Sequence, residues 1–367
     1  MRQMSVFDKI LIKSEYKDGQ ITKAYEPLYN KRELNKNSDC FSLLKKMNLL
    51  KINQFKFTDF LNGGQGAITA LYSDDNGIKC VIKFLIAPRH DEEYQSFVSE
   101  YGALLHLTHN KFKYNASPKV IINFTQLKKM PIYYFGIEFI EGITLKDLIA
   151  RKPIPWQWKE VIALIQRISL ALYEVTVNRI IHRDLHPGNI IITRENHKCT
   201  IDEEEPCIRI IDFGNKVNWG GELFGDEHTG NAFRFEGSIT SWSPEYVLDR
   251  KRNNDTVQDI WSLGIISFLL LTGKYPIEVT NISELFTKYK NFSIHMENHL
   301  LLHLPDIITH IINRMLEENP NHRIVIGPLT KVLSDIIHKD LLNAEPAYLK
   351  KYLEYDGQPE DPLDYIY

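Results

Sequence analysis

The segment His182-Arg183-Asp184-Leu185-His186-Pro187-Gly188-Asn189, with Asp212-Phe213-Gly214 beginning 23 residues after Asn189, constrains this chain more than any other feature. A carboxylate, an amide five positions later and a second carboxylate in a tight glycine turn suit a site that orients a hydroxyl and holds a divalent cation against phosphate groups. The 367 residues, 43% of them hydrophobic, can bury a sizeable core and suit one large domain with short extensions better than several independent units.

Charge and cysteine content exclude some classes of function. With 44 basic and 47 acidic residues the net charge is -3, which provides no general footprint for nucleic acid or an anionic membrane. Cys40, Cys80, Cys199 and Cys207 lack metal-ligand spacing, and Cys80 lies in an apolar strand-like run. Idle thiols in a reducing, cytoplasmic compartment are expected. Residues 1–14 interleave Lys and Asp with apolar residues, against a secretory signal. The longest apolar run, residues 260–271, contains Gly264 and falls short of a bilayer span, so it reads as a core helix.

Hydrophobic patterning divides the chain unevenly. Residues 1–54 form an N-terminal extension, with a hairpin signal around Lys17-Asp18-Gly19-Gln20 and a short helical pattern over 42–51. Residues 55–84 read as strand, glycine turn, strand, turn and strand. A helix is predicted over 92–109, with Phe97, Leu104, Leu105 and Leu107 as its apolar stripe, and a strand over 132–140. Beyond Gly142 helices are expected over 158–177, 244–248, 257–272, 308–316 and 329–338. Residues 339–367 form a tail with an acidic, proline-containing end. The class is therefore α+β, with a small β-rich half (55–141) followed by a larger, mainly helical half (142–338).

The motifs and their order resemble those of the protein kinase family over roughly residues 55–335. Phe60-Leu61-Asn62-Gly63-Gly64-Gln65-Gly66-Ala67-Ile68 resembles the glycine-rich loop, with Gly63 and Gly66 at its second and third glycine positions and Leu61 in place of the first. Such a loop lets backbone N–H groups approach ATP phosphates. The resemblance also implies nucleotide contacts from Gly64 and Ile68. Val81-Ile82-Lys83 resembles the strand whose lysine holds the α and β phosphates, and Glu100 stands where the helix glutamate that holds this lysine is found. Ile137-Glu138-Phe139-Ile140 resembles the hinge, implying Ile137 as gatekeeper and backbone bonds from Glu138 and Ile140 to adenine. Asp184 would orient the attacking hydroxyl, while Asn189 and Asp212 would bind Mg²⁺, with Mn²⁺ as the alternative cation. Ser243-Pro244-Glu245 and Asp259-Ile260-Trp261-Ser262-Leu263-Gly264 resemble the structural motifs that build the platform for a protein substrate, and Arg323 stands where the family places the partner of Glu245. The resemblance implies a bilobal kinase-like fold and transfer of the ATP γ-phosphate to Ser or Thr of a protein. Gly237-Ser238 resembles the Gly-Thr pair of Ser/Thr kinases; Trp242 is a feature shared with Tyr kinases.

Several positions depart from that pattern. His186 replaces the lysine that touches the γ-phosphate, and two readings stand: an imidazole donating to the phosphoryl group, or a ring that merely packs in the loop. Gly188 occupies the place of a glutamate that reads substrate arginine, so an Arg-directed preference is not expected. Residues 194–206 read as an insertion with an acidic tip at Asp202-Glu203-Glu204-Glu205. Arg183 suggests pairing with a phosphate, yet Arg234 occupies the usual phosphosite; Asp226, Glu227, Glu236 or a phosphate on Thr229 could supply the compensating charge. The Leu-His-Pro-Gly-Asn loop also resembles small-molecule phosphotransferases, so a kinase of a small-molecule or peptide-natural-product hydroxyl is the competing enzymatic reading. A nucleotide-binding pseudokinase is the non-enzymatic one, opposed by retention of Lys83, Asp184, Asn189 and Asp212.

Overall fold

The structure, a computed structural model, describes residues 34–35, 38–61, 67–88, 91–110, 115–127, 131–193, 208–213, 239–248, 256–290 and 298–338. Expectations placed on Lys17-Asp18-Gly19-Gln20, Gly63, Gly64, Gly66, the 194–206 insertion, Thr229, Arg234, Gly237-Ser238, the neighbouring acids and the tail lie outside the described residues.

One compact unit comprises the described residues up to 110 together with 118–140. It opens with helix α1 (Asp39–Lys46), capped by Ser38, whose side chain accepts the Phe41 N–H at 3.3 Å. The helix starts earlier and ends sooner than its apolar pattern predicted, because this cap fixes its start and Asn48 leaves it in the left-handed region at φ 57°. Strands β1 (Lys51–Ile52), β2 (Phe55–Leu61), β3 (Ile68–Ser73), β4 (Lys79–Ile86), β5 (Val120–Gln126) and β6 (Ile132–Glu138) form an antiparallel sheet in the order β1-β2-β3-β4-β6-β5. Helix α2 (Asp91–His109) follows β4.

Alternation along β4 gives the two sheet faces different work. Cys80, Ile82, Phe84 and Ile86 enter a core completed by Cys40, Leu43 and Leu44 of α1 and by Leu49 and Ile52. The buried Tyr72 hydroxyl donates to the Leu49 carbonyl at 2.7 Å, so α1 and β1 belong to the same core as the sheet. Both Cys40 and Cys80 are buried free thiols, and burial pushes each up to about 12. Lys83 lies on the other face, opposite Phe135 of β6. Phe97 and Tyr101 of α2 meet Phe135 there, at ring-centroid separations of 4.8 and 5.5 Å. Helix α2 is tied to β5 through Thr108, whose hydroxyl accepts the Val120 N–H at 2.8 Å.

The second unit comprises described residues 115–117 and those from 141 onward. Its elements are β7 (Gly142–Thr144), α3 (Leu145–Arg151), α4 (Trp158–Val177), β8 (Ile190–Thr193), β9 (Ile208–Ile210), α5 (Pro244–Leu248), α6 (Val257–Thr272), α7 (Ile282–Lys290), α8 (Asp306–Met315) and α9 (Ile326–His338). Strands β7, β8 and β9 make a small antiparallel sheet. At Gly142 a Cβ would stand 2.4 Å from the Ile192 carbonyl oxygen, so the approach of β7 to β8 requires glycine. Helix α6 is buried from Val257 to Leu271, as its nearly continuous apolar sequence requires. Residues 115–117 belong here because Ala116 donates to Glu174 of α4 at 3.0 Å and accepts from Ile210 of β9 at 2.7 Å. Among the described residues no helix is long and apolar enough to cross a membrane.

The short elements β5, α3 and α7 were not anticipated from sequence. Each is held by contacts from elsewhere in its unit, and periodicity over seven to nine residues is a weak signal beside such contacts.

Candidate functional site

In the sheet unit, Lys83 and Glu100 meet. Lys83 Nζ donates to Glu100 Oε1, with both side chains largely buried. The pair follows from α2 packing on the Lys83 face of the sheet, which turns Glu100 inward one helical turn after Phe97. Ile137 lies across from Val81 and therefore shares the Lys83 face. Glu138 donates its N–H to the Lys119 carbonyl at 2.8 Å, and its side chain accepts the Lys119 N–H at 3.2 Å. Ile140, two residues beyond, is half-buried.

Ile68 departs from expectation. It pairs with Phe84 and is buried in the core against α1, on the face away from Lys83. Thr69 is the β3 residue across from Lys83, because side-chain direction alternates along the strand. Gly63, Gly64 and Gly66 lie outside the described residues.

In the helical unit, Asp184, His186 and Asn189 sit together on the loop before β8, and Asp212 follows β9. The anchor is Asp259 on α6, whose two carboxylate oxygens accept the backbone N–H groups of His182 and Arg183 at 2.8 Å each. Burial raises the Asp259 carboxyl, while these N–H donors and the Arg183 charge oppose that rise. Arg183 and Asp212 both adopt left-handed backbone conformations, at φ 64° and 67°. Such conformations cost about 1–2 kcal/mol in a non-glycine residue and persist where surrounding bonds over-determine them. Burial lowers the Arg183 guanidinium pKa, with Tyr246 and Asp259 acting in the opposite direction.

The His182 ring connects the two segments of this site. Its Nε2 lies 2.9 Å from the Ile211 carbonyl and its Nδ1 is 3.3 Å from the Asp184 N–H, an arrangement that suits a neutral ring protonated on Nε2. The same ring meets Phe213 edge-on at 5.0 Å. Asn189 donates from Nδ2 to the Asp184 carbonyl at 3.0 Å, which assigns its amide and leaves Oδ1 at the opposite end. The Ile211 N–H donates to the Asn189 carbonyl at 3.0 Å. An amide oxygen and a carboxylate are hard donors that fit Mg²⁺, which commonly takes one or two protein ligands and completes its shell with water and phosphate. No cluster of three or more His, Cys, Asp or Glu suited to a metal occurs among the described residues.

The expected partnership of Glu245 and Arg323 is present. Arg323 Nη1 and Nη2 donate to the two Glu245 oxygens at 2.6 and 2.9 Å, and Nε donates to the Glu317 carbonyl at 2.9 Å. The guanidinium also lies 5.0 Å from the Trp261 ring centroid. Tyr289 donates to the Trp242 carbonyl at 2.6 Å, fixing the segment before α5.

Sequence reasoning placed Asp259 in a structural motif and His182 at the head of the Asp184 loop, and missed their shared role in setting that loop. The signal lay in an acid entering an otherwise apolar helix, since a buried carboxylate requires donors.

Comparison with known proteins adds an independent finding. The family model described as "Protein kinase domain" matches residues 61–335. Over 206 residues the chain is 26% identical to the Serine/threonine-protein kinase PrkC of Bacillus subtilis (strain 168), covering 56% of this chain and 29% of that protein. It is 30% identical over 233 residues to the SNF1-related protein kinase catalytic subunit alpha KIN12 of Arabidopsis thaliana, covering 63% and 41% respectively. Over 214 residues it is 28% identical to the Carbon catabolite-derepressing protein kinase of Secale cereale, covering 58% and 37%. These alignments thus span less than half the length of each relative.

Proposed function

The chain belongs to the protein kinase domain family, and from that premise we propose that it transfers the γ-phosphate of ATP to Ser or Thr hydroxyls of a protein substrate. The observation that carries this reading is the Lys83–Glu100 ion pair, which holds the lysine extended on its sheet face as phosphate positioning requires. Lys83 would hold the α and β phosphates. Ile137 would border the adenine, and Glu138, whose N–H already serves Lys119, would offer its carbonyl; Ile140 would contribute a further backbone contact. Asn189 and Asp212 would hold Mg²⁺. ATP would supply the transferable phosphoryl group, and Mg²⁺ bound with it would neutralise charge on the phosphate oxygens.

Asp184 would accept a hydrogen bond from the substrate hydroxyl and direct its lone pair, with proton uptake falling to the carboxylate as transfer proceeds. Its backbone is fixed by His182 and Asn189, so orienting it costs little at the moment of reaction. The buried Glu245–Arg323 pair supports a protein acceptor, because it braces the segment that the kinase family uses as a peptide platform. Names of the similar proteins also favour Ser/Thr specificity.

The test is transfer of labelled γ-phosphate from ATP with Mg²⁺ to a mixed protein extract, followed by phosphoamino-acid analysis. Label should enter protein on Ser and Thr. Asp184→Asn should keep ATP binding and lose most transfer; Asp212→Asn should also lose most transfer. Label confined to small molecules, predominant phosphotyrosine, or near-normal transfer by both variants would reject the reading.

A further inference from the structure

The two faces of the larger sheet are closed to different degrees. On the face turned to α1, Ala70, Tyr72, Cys80 and Ile82 are fully buried. On the Lys83 face the register builds two rows across β3, β4 and β6: Thr69, Lys83 and Phe135 in one, Leu71, Val81 and Ile137 in the next. Neighbouring rows on one face stand about 6–7 Å apart, two residues along the strand. Leu71 and Val81 are only half-buried, so the sheet leaves apolar surface on this face, beside the row that carries the Lys83 ammonium. An apolar row next to a cationic one suits a molecule with a flat apolar part and an anionic part.

Thr69 is a polar residue of this face to which the motif spacing gave no role. Its side chain is only 9% exposed, and its hydroxyl makes no hydrogen bond among the described residues. Strand propensity and packing do not account for it: valine is equally β-branched, has nearly the same shape and brings no hydroxyl under cover. What the hydroxyl adds is a neutral donor on the Lys83 row, with the two Cβ atoms about 5 Å apart across the strands. Lys83 extends from the sheet to Glu100, whereas the shorter Thr69 stays at the sheet surface and so reaches the phosphate nearest the adenine row. We propose that Thr69 is a nucleotide-binding residue whose hydroxyl donates to the α-phosphate of ATP, at the place that motif spacing assigned to the apolar Ile68. A hydrogen bond to a charged phosphate oxygen is stronger than one between neutral groups, so a single hydroxyl has a measurable effect. The inference rests on the kinase reading of the Lys83 site.

Calorimetric titration of the full chain with Mg²⁺-ADP and, separately, with adenosine tests it. Thr69→Val keeps the shape and removes the donor; it should weaken ADP binding by about tenfold, leave adenosine within twofold of wild type, and keep or raise the thermal midpoint of the nucleotide-free protein. Thr69→Ser, which keeps the hydroxyl and loses the methyl, should bind ADP within threefold of wild type. ADP affinity within twofold of wild type in Thr69→Val, an equal loss for adenosine and ADP, or a loss in Thr69→Ser as large as that in Thr69→Val would overturn the proposal. The kinase reading fails separately: a wild type that binds ADP with this Thr69 dependence yet labels no protein from ATP would reject that reading alone, and a wild type that binds no nucleotide would reject both.

Discussion

Substituting Asp259 by Asn tests whether the α6 carboxylate sets the catalytic loop. The aspartate accepts two buried backbone N–H groups at 2.8 Å, those of His182 and Arg183. Bonds to a charged acceptor contribute about 1.5–3 kcal/mol each. Asparagine keeps one oxygen, a neutral acceptor contributing about 0.5–1.5 kcal/mol, and turns an NH₂ group toward the other N–H, leaving a buried donor unsatisfied at a cost of about 1–3 kcal/mol. Relief of the desolvation of a buried charge offsets part of this, and a net loss of about 2–3 kcal/mol is expected. Urea unfolding at an unchanged slope reads that loss. Because the protein remains folded without denaturant, the activity measurement is separate. The left-handed Arg183 backbone loses half of its clamp, and kcat should fall by about 100-fold, or about 2.7 kcal/mol. The pH dependence has a defined sign. Burial raises the folded-state Asp259 carboxyl above its unfolded value, so the wild type has an increment of stability below the ordinary carboxylate range that is lost as pH rises through the raised value. Asp259→Asn, which does not ionise, should lack that slope. A stability change under about 0.5 kcal/mol together with kcat within threefold of wild type would refute the anchoring argument.

Arg323→Lys should destabilise the chain by about 3 kcal/mol, because one ammonium cannot reproduce the forked bonds to Glu245, the bond to Glu317 and the approach to Trp261; chemical denaturation measures it, and an unchanged midpoint would contradict it. Tyr72→Phe removes the donor to the Leu49 carbonyl in a fully buried setting, for an expected loss of about 1–2 kcal/mol with kcat unaffected. No loss of stability would mean that α1 and β1 are held by apolar contacts alone.

The sequence by itself determined the long helices and the order of the residues proposed for the site. The order of Lys83, Glu100, Asp184, Asn189 and Asp212 was legible because phosphoryl-transfer chemistry restricts residue types at fixed local spacings. The helices 158–177 and 257–272 were legible because their apolar residues recur over several turns, where local pattern and burial agree. Only the tertiary structure decided which sheet face each strand residue takes. Ile68 turned away from Lys83 because its partner across the sheet is Phe84, and a strand's register reverses every side chain with a shift of one residue. It alone also brought the Asp259 carboxylate to the backbone of His182 and Arg183, residues 76 or more positions away in sequence. The hydrogen bond from the Gly188 N–H to His186 Nδ1, at 3.0 Å, lies within three residues, yet it too was hidden from sequence, because ring orientation follows from which backbone N–H the folded turn presents. Residue types carry chemistry locally, whereas faces, caps and buried hydrogen bonds are set by which distant groups the folded chain brings within about 3 Å.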